Sequence, residues 1–228
     1  TGPAQPSERP GGASGNAFDA QRRLYSCEFR ERRVVRFDSK KDKLEVLADK
    51  FEGKRFNAPN DLAVRKDGHV WFTDPAFGNQ ADKRELDFYG IFHISPKGEV
   101  DAAARWKTRP NGIALAPNGR ILYVSNSDER TVHAFDLERN GTLSNDRVLI
   151  SGIEGVPGGI RTDEKGNLYV AGKYLFVFAP TGKPIGKIEV AEPPSNCAFG
   201  DGDLSTLYIT ARTSVYRVKI GVKGASNP

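Results

Sequence analysis

The sequence contains no methionine, not even at position 1, and only two cysteines and three histidines among its 228 residues. A chain that does not open on Met is expected to be trimmed, processed or a fragment, so no targeting signal is read from its start, and cytoplasmic and periplasmic locations both stay open. Cys27 and Cys197 lie far apart, with no CxxC pattern and no Cys/His cluster. They predict two reduced, buried thiols rather than a disulfide framework. His69, His93 and His133 each fall within a strand-like run, which argues against a histidine-based zinc site. No apolar run approaches the ~18 residues of a membrane span, and a mean hydropathy of −0.52 fits a soluble globular chain. Net charge is +5, from 34 basic and 29 acidic residues, with both signs scattered. The densest basic stretches, Arg30 to Arg36 and Lys40 to Lys43, both contain acids, so neither nucleic acid nor membrane is an expected partner. The oligomeric state is left open.

What the chain does contain is a repeat. One phrase recurs five times: a small or polar start, a short strand, a Gly/Asp/Asn turn, a second strand and a polar end. The copies are NAFDAQRRLYSCE from Asn16, NDLAVRKDGHVWFTDP from Asn60, NGIALAPNGRILYVSNS from Asn111, GGIRTDEKGNLYVAG from Gly158 and NCAFGDGDLSTLYITA from Asn196. Their starts are 44, 51, 47 and 38 residues apart. A third strand-like run follows each: RRVVRFD, GIFHISP, TVHAFDL, YLFVFAP and SVYRVKI. Turn formers such as Lys66-Asp67-Gly68, Pro117-Asn118-Gly119 and Glu164-Lys165-Gly166 join the first two strands. With 24 Gly and 14 Pro, little room remains for long helices. The charged segment Ser39 to Glu52, inside the one long Gly/Pro-free window, is expected to be strand plus loop. Spacings near ~40–50 residues predict an all-β chain, a β-propeller with about five blades. Residues 1–15, rich in Pro, Gly, Ser and Ala, are expected to be a loop or disordered lead-in, and 16–228 a single propeller domain.

Antiparallel pairing places the start of each first strand beside the end of the second. The polar groups expected to gather there are Asn16 with Glu28, Asn60 and Asp61 with Asp74, Asn111 with Asn126 and Asp128, Gly158 with Lys173, and Asn196 with Arg212. Strand-end Asn and Asp often do no more than cap turns. Here the strand interiors repeat while the second-strand ends diverge, an asymmetry suited to a small ligand. Asn16, Glu28, Asp61, Asp74, Asn196 and Arg212 are therefore the candidate substrate-binding residues.

The phrases RFNAPNDLAVRKDGHVWFTDPAFG, RPNGIALAPNGRILYVSNSD and EPPSNCAFGDGDLSTLYITARTSVYRV resemble the gluconolactonase-like family that includes regucalcin (senescence marker protein) and luciferin-regenerating enzyme. The resemblance runs from about Pro10 to Val218 and implies a six-bladed propeller with one blade missing from this chain. It further implies one divalent cation, Ca²⁺, Zn²⁺, Mg²⁺ or Mn²⁺, and hydrolysis of a sugar lactone or related ester by metal-activated water. On that pattern Asn60 and Asn111 are metal ligands. The family's aspartate position is Gly158, and its glutamate is expected upstream of Asn16, in the absent blade. With both anionic ligands lost, cation binding by this chain is expected to be weak or absent. The catalytic acid is then unknown, with Asp61 and Asp74 as stand-ins, and Gly158→Asp, made with the upstream blade restored, is expected to raise metal affinity and lactone hydrolysis by at least about tenfold. The alternative is a catalytically degenerate or NHL-like propeller acting as a ligand- or protein-binding module.

Overall fold

The computed structural model describes residues 12–226, so the lead-in expected over 1–15 lies mostly outside the described residues. Its last part is already strand: β1 runs Ala13–Phe18, three residues earlier than the repeat suggested. The described chain is all-β apart from one 3-10 helix at Gly78–Lys83. No helix among the described residues is long and apolar enough to cross a membrane.

The strands form five successive antiparallel sheets, the blades of a β-propeller. In the first, β1, β2 (Leu24–Glu28), β3 (Arg33–Asp38) and β4 (Lys43–Ala48) pair in chain order. The segment expected as strand plus loop thus supplies β4, followed by a small hairpin of β5 (Lys50–Phe51) and β6 (Lys54–Arg55). The second blade is β7 (Leu62–Val64), β8 (Val70–Asp74), β9 (Tyr89–Ile94) and β10 (Val100–Trp106). The third is β11 (Pro110–Leu115), β12 (Ile121–Asn126), β13 (Thr131–Leu137) and β14 (Leu143–Ile150). The fourth is β15 (Ile160–Thr162), β16 (Leu168–Ala171), β17 (Leu175–Phe178) and β18 (Pro184–Ile188). The fifth has three strands, β19 (Asn196–Gly200), β20 (Thr206–Thr210) and β21 (Val215–Lys219).

The chain divides into two compact units. One holds residues 1–110 with the loop 139–142, the other 111–138 with 143–228. In the first, an aromatic nucleus fixes the packing. Phe56 meets Phe72 and Phe92 edge-on at 5.1 and 4.9 Å, and Phe51 reaches Phe92 at 5.2 Å. Such pairs add to the area that Leu62, Val64 and Ile94 bury around them. In the second unit, one cluster is built on Tyr123, Val132, Ile160 and Val170, another on Tyr169, Leu175, Leu207 and Ile209.

The turns confirm the local chemistry. Gly68, Gly119 and Gly166 all have positive φ, +94°, +66° and +81°, a conformation open to Gly and costly for most residues. A second device repeats across blades. Tyr25 donates to Asp19, Tyr169 to Asp163 and Tyr208 to Asp201, at 3.2, 3.3 and 2.9 Å. Asp19 and Asp163 also accept backbone amides of their own turns. The second blade replaces the pair with Arg65 stacked over Trp71 at 5.1 Å.

Both cysteines are buried free thiols. His69 lies not in a strand but in the turn before β8.

Candidate functional site

In the first unit, the start of each inner strand meets the end of its neighbour as antiparallel pairing requires. Asn60 donates its amide to Thr73 O at 2.8 Å, and Thr73 donates back to Asp61 O at 3.0 Å. The first blade reaches the second here: Gly15 N donates to Asn60 O and Ser14 Oγ to Asn60 Oδ1, at 2.6 and 2.8 Å. Asp61 is buried, and its Oδ1 accepts the Leu62 amide at 3.0 Å. A methyl group on Gly15 would lie 2.4 Å from that same oxygen, so a side chain there would be crushed against the carboxylate.

Asp74 is completely buried, and its two oxygens accept the amides of Asn57 and Ala58, both at 2.7 Å. Burial raises its pKa to about 7, against the opposing pull of those amides and of Arg32. Asp74 therefore holds the segment 57–58 in place. Glu28 is likewise buried, paired with Arg33 at 2.6 Å. A bulge between Ala13 and Asn16 sets Ala13, not Asn16, opposite Glu28. Asn16 instead accepts from Ser26 Oγ at 2.6 Å. The expected pairing of Asn16 with Glu28 is thus displaced by the irregular register of β1.

In the second unit, Asn111 donates to Ser127 Oγ and Pro157 O at 3.0 and 3.1 Å. Gly158 donates to Ala171 O at 3.0 Å, two residues before Lys173, and its carbonyl accepts from Ser125 Oγ at 2.7 Å. Asn196 pairs with Thr210 rather than Arg212, which is exposed beyond the end of β20. Asn196 Oδ1 is taken by the amide of Cys197 at 2.8 Å.

Gly158 has ordinary φ but no room. A Cβ there would lie 2.5 Å from the backbone oxygen of Ser195. The restoring substitution expected at this position therefore meets main chain, not an open channel mouth, and needs a backbone shift.

The donors suit a divalent cation poorly. Asn60 and Asn111 are neutral amides, the oxygen of Asn60 already accepts from Ser14, and Gly158 supplies no carboxylate. Hard dications favour several carboxylate and carbonyl oxygens. Among the described residues, no three His, Cys, Asp or Glu side chains gather as a metal site would require.

Beside Asp74 lies a feature that the repeat did not reveal, a cavity of about 340 Å³ in the first unit. Phe29, Arg30 and Arg32 line it from the segment after β2, Gln80 and Lys83 from the 3-10 helix, with Asn57 between. Asn57 donates both hydrogens of its side-chain amide, to Asp74 O at 3.1 Å and Phe88 O at 3.0 Å. That fixes the amide's orientation, and its buried Oδ1 accepts no hydrogen bond. The only sequence sign of this cavity was the basic stretch Arg30 to Arg36, whose interspersed acids argued only against a nucleic-acid partner.

Comparison with known proteins agrees with this architecture. The model of the SMP-30/gluconolactonase/LRE-like region matches residues 2–213. A gluconolactonase from Zymomonas mobilis is 34% identical over 92% of this chain, which spans 64% of that protein. A lactonohydrolase from Aspergillus oryzae is 25% identical over 80% of this chain, which spans 49% of its length. The chain thus covers less than two thirds of either relative. The gluconolactonase structure from Xanthomonas campestris superposes with a TM-score of 0.81 at 32% identity, covering 91% of this chain and 71% of that one. With its five repeated blades and this match over nearly its whole length, the chain belongs to the SMP-30/gluconolactonase/LRE-like family.

Proposed function

We propose that the protein hydrolyses sugar lactones. The observation that carries this reading is the 34% identity to a gluconolactonase across 92% of the chain. In the reaction, the oxygen of water bonds to the lactone carbonyl carbon and the ring C–O bond breaks. One proton passes to the departing ring oxygen, and the product is a polyhydroxy carboxylate.

Of the two stand-in acids, Asp61 is the better general base. Both oxygens of Asp74 are engaged by the amides of Asn57 and Ala58, so its carboxylate is committed to holding that segment. Asp61 stands at the start of the inner strand, next to Asn60, and one of its oxygens takes a backbone amide. In this reading Asp61 takes the proton of the attacking water. Asn16 and Asn60 orient substrate hydroxyls from the same end of the first unit. No step is routed through a metal, because the donors present do not fit one.

A pH-stat assay with D-glucono-1,5-lactone tests the reading. Opening faster than the buffer blank, unaffected by EDTA, is the expected result. A rate equal to the blank favours the second reading, a catalytically degenerate binding module. The crowding at Gly158, where the family's aspartate would sit, is the observation on its side.

A further inference from the structure

The innermost strand of the second blade opens on a β-bulge. Asn60 N donates to Thr73 O at 2.8 Å and Thr73 N donates to Asp61 O at 3.0 Å, so two residues face a single residue of β8. Beyond them the pairing is regular, with Leu62 opposite Phe72. A bulge breaks the alternation of side chains along a strand and re-aims those beside it. Here Thr73 O is taken by Asn60, and the Asp61 amide turns instead to the Thr73 hydroxyl, 3.2 Å away. The same hydroxyl lies 3.4 Å from Asp61 O. Asp61 Oδ1 then reaches forward to the Leu62 amide at 3.0 Å. The carboxylate is set by the backbone of Asp61, and that backbone by Thr73.

The device recurs in the later blades, which separates its parts. In the third, Ser125 Oγ accepts the Gly112 amide at 2.8 Å. In the fifth, Thr210 O accepts the Ser195 amide at 2.8 Å and Thr210 Oγ1 donates to Asn196 O at 3.2 Å. The fourth makes the same two main-chain bonds, Gly158 N to Ala171 O and Ala171 N to Gly159 O, both at 3.0 Å, with no hydroxyl at Ala171. The bulge therefore forms without the hydroxyl. What sets the second blade apart is the residue that the hydroxyl holds: Asp61, where the later blades carry Gly112, Gly159 and Asn196.

We propose that Thr73 is a positioning residue for lactone hydrolysis: its hydroxyl fixes the bulge at Asp61 and so holds the Asp61 carboxylate where it takes the proton of the attacking water. This rests on the reading of Asp61 as the general base. Thr73 is wholly buried and touches no substrate, so it acts on proton transfer and leaves lactone affinity to other groups.

The full chain is compared with Thr73→Val, which keeps the shape and removes the hydroxyl, and Thr73→Ser, which keeps the hydroxyl. In pH-stat assays on D-glucono-1,5-lactone, Thr73→Val should lose about tenfold or more in kcat with KM within about twofold of native. Thr73→Ser should restore native kcat, and Ser125→Ala, the matching loss in the third blade, should not lower it. Added to Asp61→Asn, Thr73→Val should cause no further fall, because it acts through that carboxylate. Amide exchange followed by NMR needs no substrate: the Asp61 amide should exchange at least about tenfold faster in Thr73→Val and at the native rate in Thr73→Ser. If Thr73→Val does not fold, Thr73→Ala, which repeats the residue of the fourth blade, takes its place. Native kcat in the folded hydroxyl-free variant, an equal fall in Ser125→Ala, or a further fall on top of Asp61→Asn would overturn the proposal. Faster Asp61 exchange in a chain without lactone turnover would defeat the hydrolase reading and leave Thr73 as the residue that holds Asp61. Unchanged exchange beside native turnover would overturn the role of Thr73 and leave that reading standing.

Discussion

The two ends of the second blade solve the same problem, burying polar groups, in opposite ways. At the Asp74 end, carboxylates are held by main-chain amides: Asn57 and Ala58 for Asp74, Leu62 for Asp61. At the turn end, side chains hold one another. Asp101 bonds His93 Nδ1 at 2.8 Å, and His93 Nε2 meets His69 Nδ1 at 2.7 Å. Trp71 Nε1 then anchors the loop 139–142 through Gly141 O at 3.1 Å, and Arg65 adds a bond to Arg139 O at 2.7 Å. Backbone amides cannot titrate or swing, so the first arrangement suits a rigid ligand-facing end. The stacked side chains of His69 and His93, 4.9 Å between ring centroids, suit an anchor. The difference teaches that polar burial on its own does not mark a site; the partners decide.

The largest expected effect tests the amide-held end. Asp74→Ala leaves two buried amides without an acceptor and should destabilise the fold by about 3 kcal/mol in urea melts. A loss under about 1 kcal/mol would mean that water replaces the carboxylate readily. Asp74 also imposes a pH signature. Its folded pKa of about 7 lies above its ordinary value of 3.8. Its stabilising contribution is therefore fully present below that ordinary value and is lost as pH rises towards 7. Urea midpoints at pH 4.5 and 7 should show the native chain losing stability relative to Asp74→Asn over that interval.

Next comes Gly158→Asp, which must move the Ser195 carbonyl. A cost of about 1–3 kcal/mol is expected, typical of overpacking, with no gain in Ca²⁺ affinity by calorimetry. Tight calcium binding by the variant would show that the backbone yields and that the metal site is merely one residue short.

The smallest effect belongs to the turn end. Burial lowers the pKa of His69, with Asp67 and Asp101 opposing and Arg65 and His93 reinforcing the shift. A histidine of lowered pKa loses its contribution as pH falls through its folded value, so acid weakens this anchor. His69→Phe should flatten the fall in melting temperature below about pH 6.5. The shift should be a few degrees at most, as ~1 kcal/mol moves a domain of this size by ~2–4 °C.

How much was legible in the sequence follows from the same physics. Period-2 strands and Gly turns leave local signatures, so the five blades and the turns at Gly68, Gly119 and Gly166 could be read directly. The start of β1 could not, because Ala13-Ser14-Gly15 has turn-like composition and becomes strand through its contact with Asn60. Asn60, Asp61 and Asp74 were placed at one blade end by pairing alone. That Asp74 serves the Asn57 segment depends on a loop conformation no repeat encodes. The cavity at Asn57 is assembled from two loops and a 3-10 helix, elements without periodicity. The resemblance puts the family's aspartate position at Gly158, and nothing in that phrase tells that the Ser195 backbone closes the space beside it.

The contrast between the two ends is also a claim about chemistry, and lactone turnover of two variants tests it most directly. Asp61→Asn keeps the size of the side chain and removes the proposed base, so pH-stat rates on D-glucono-1,5-lactone should fall by about 10²-fold or more. His93→Gln, at the far end of the same blade, should retain the native rate wherever it remains folded. Native turnover by Asp61→Asn, or an equal loss in both folded variants, would contradict the account.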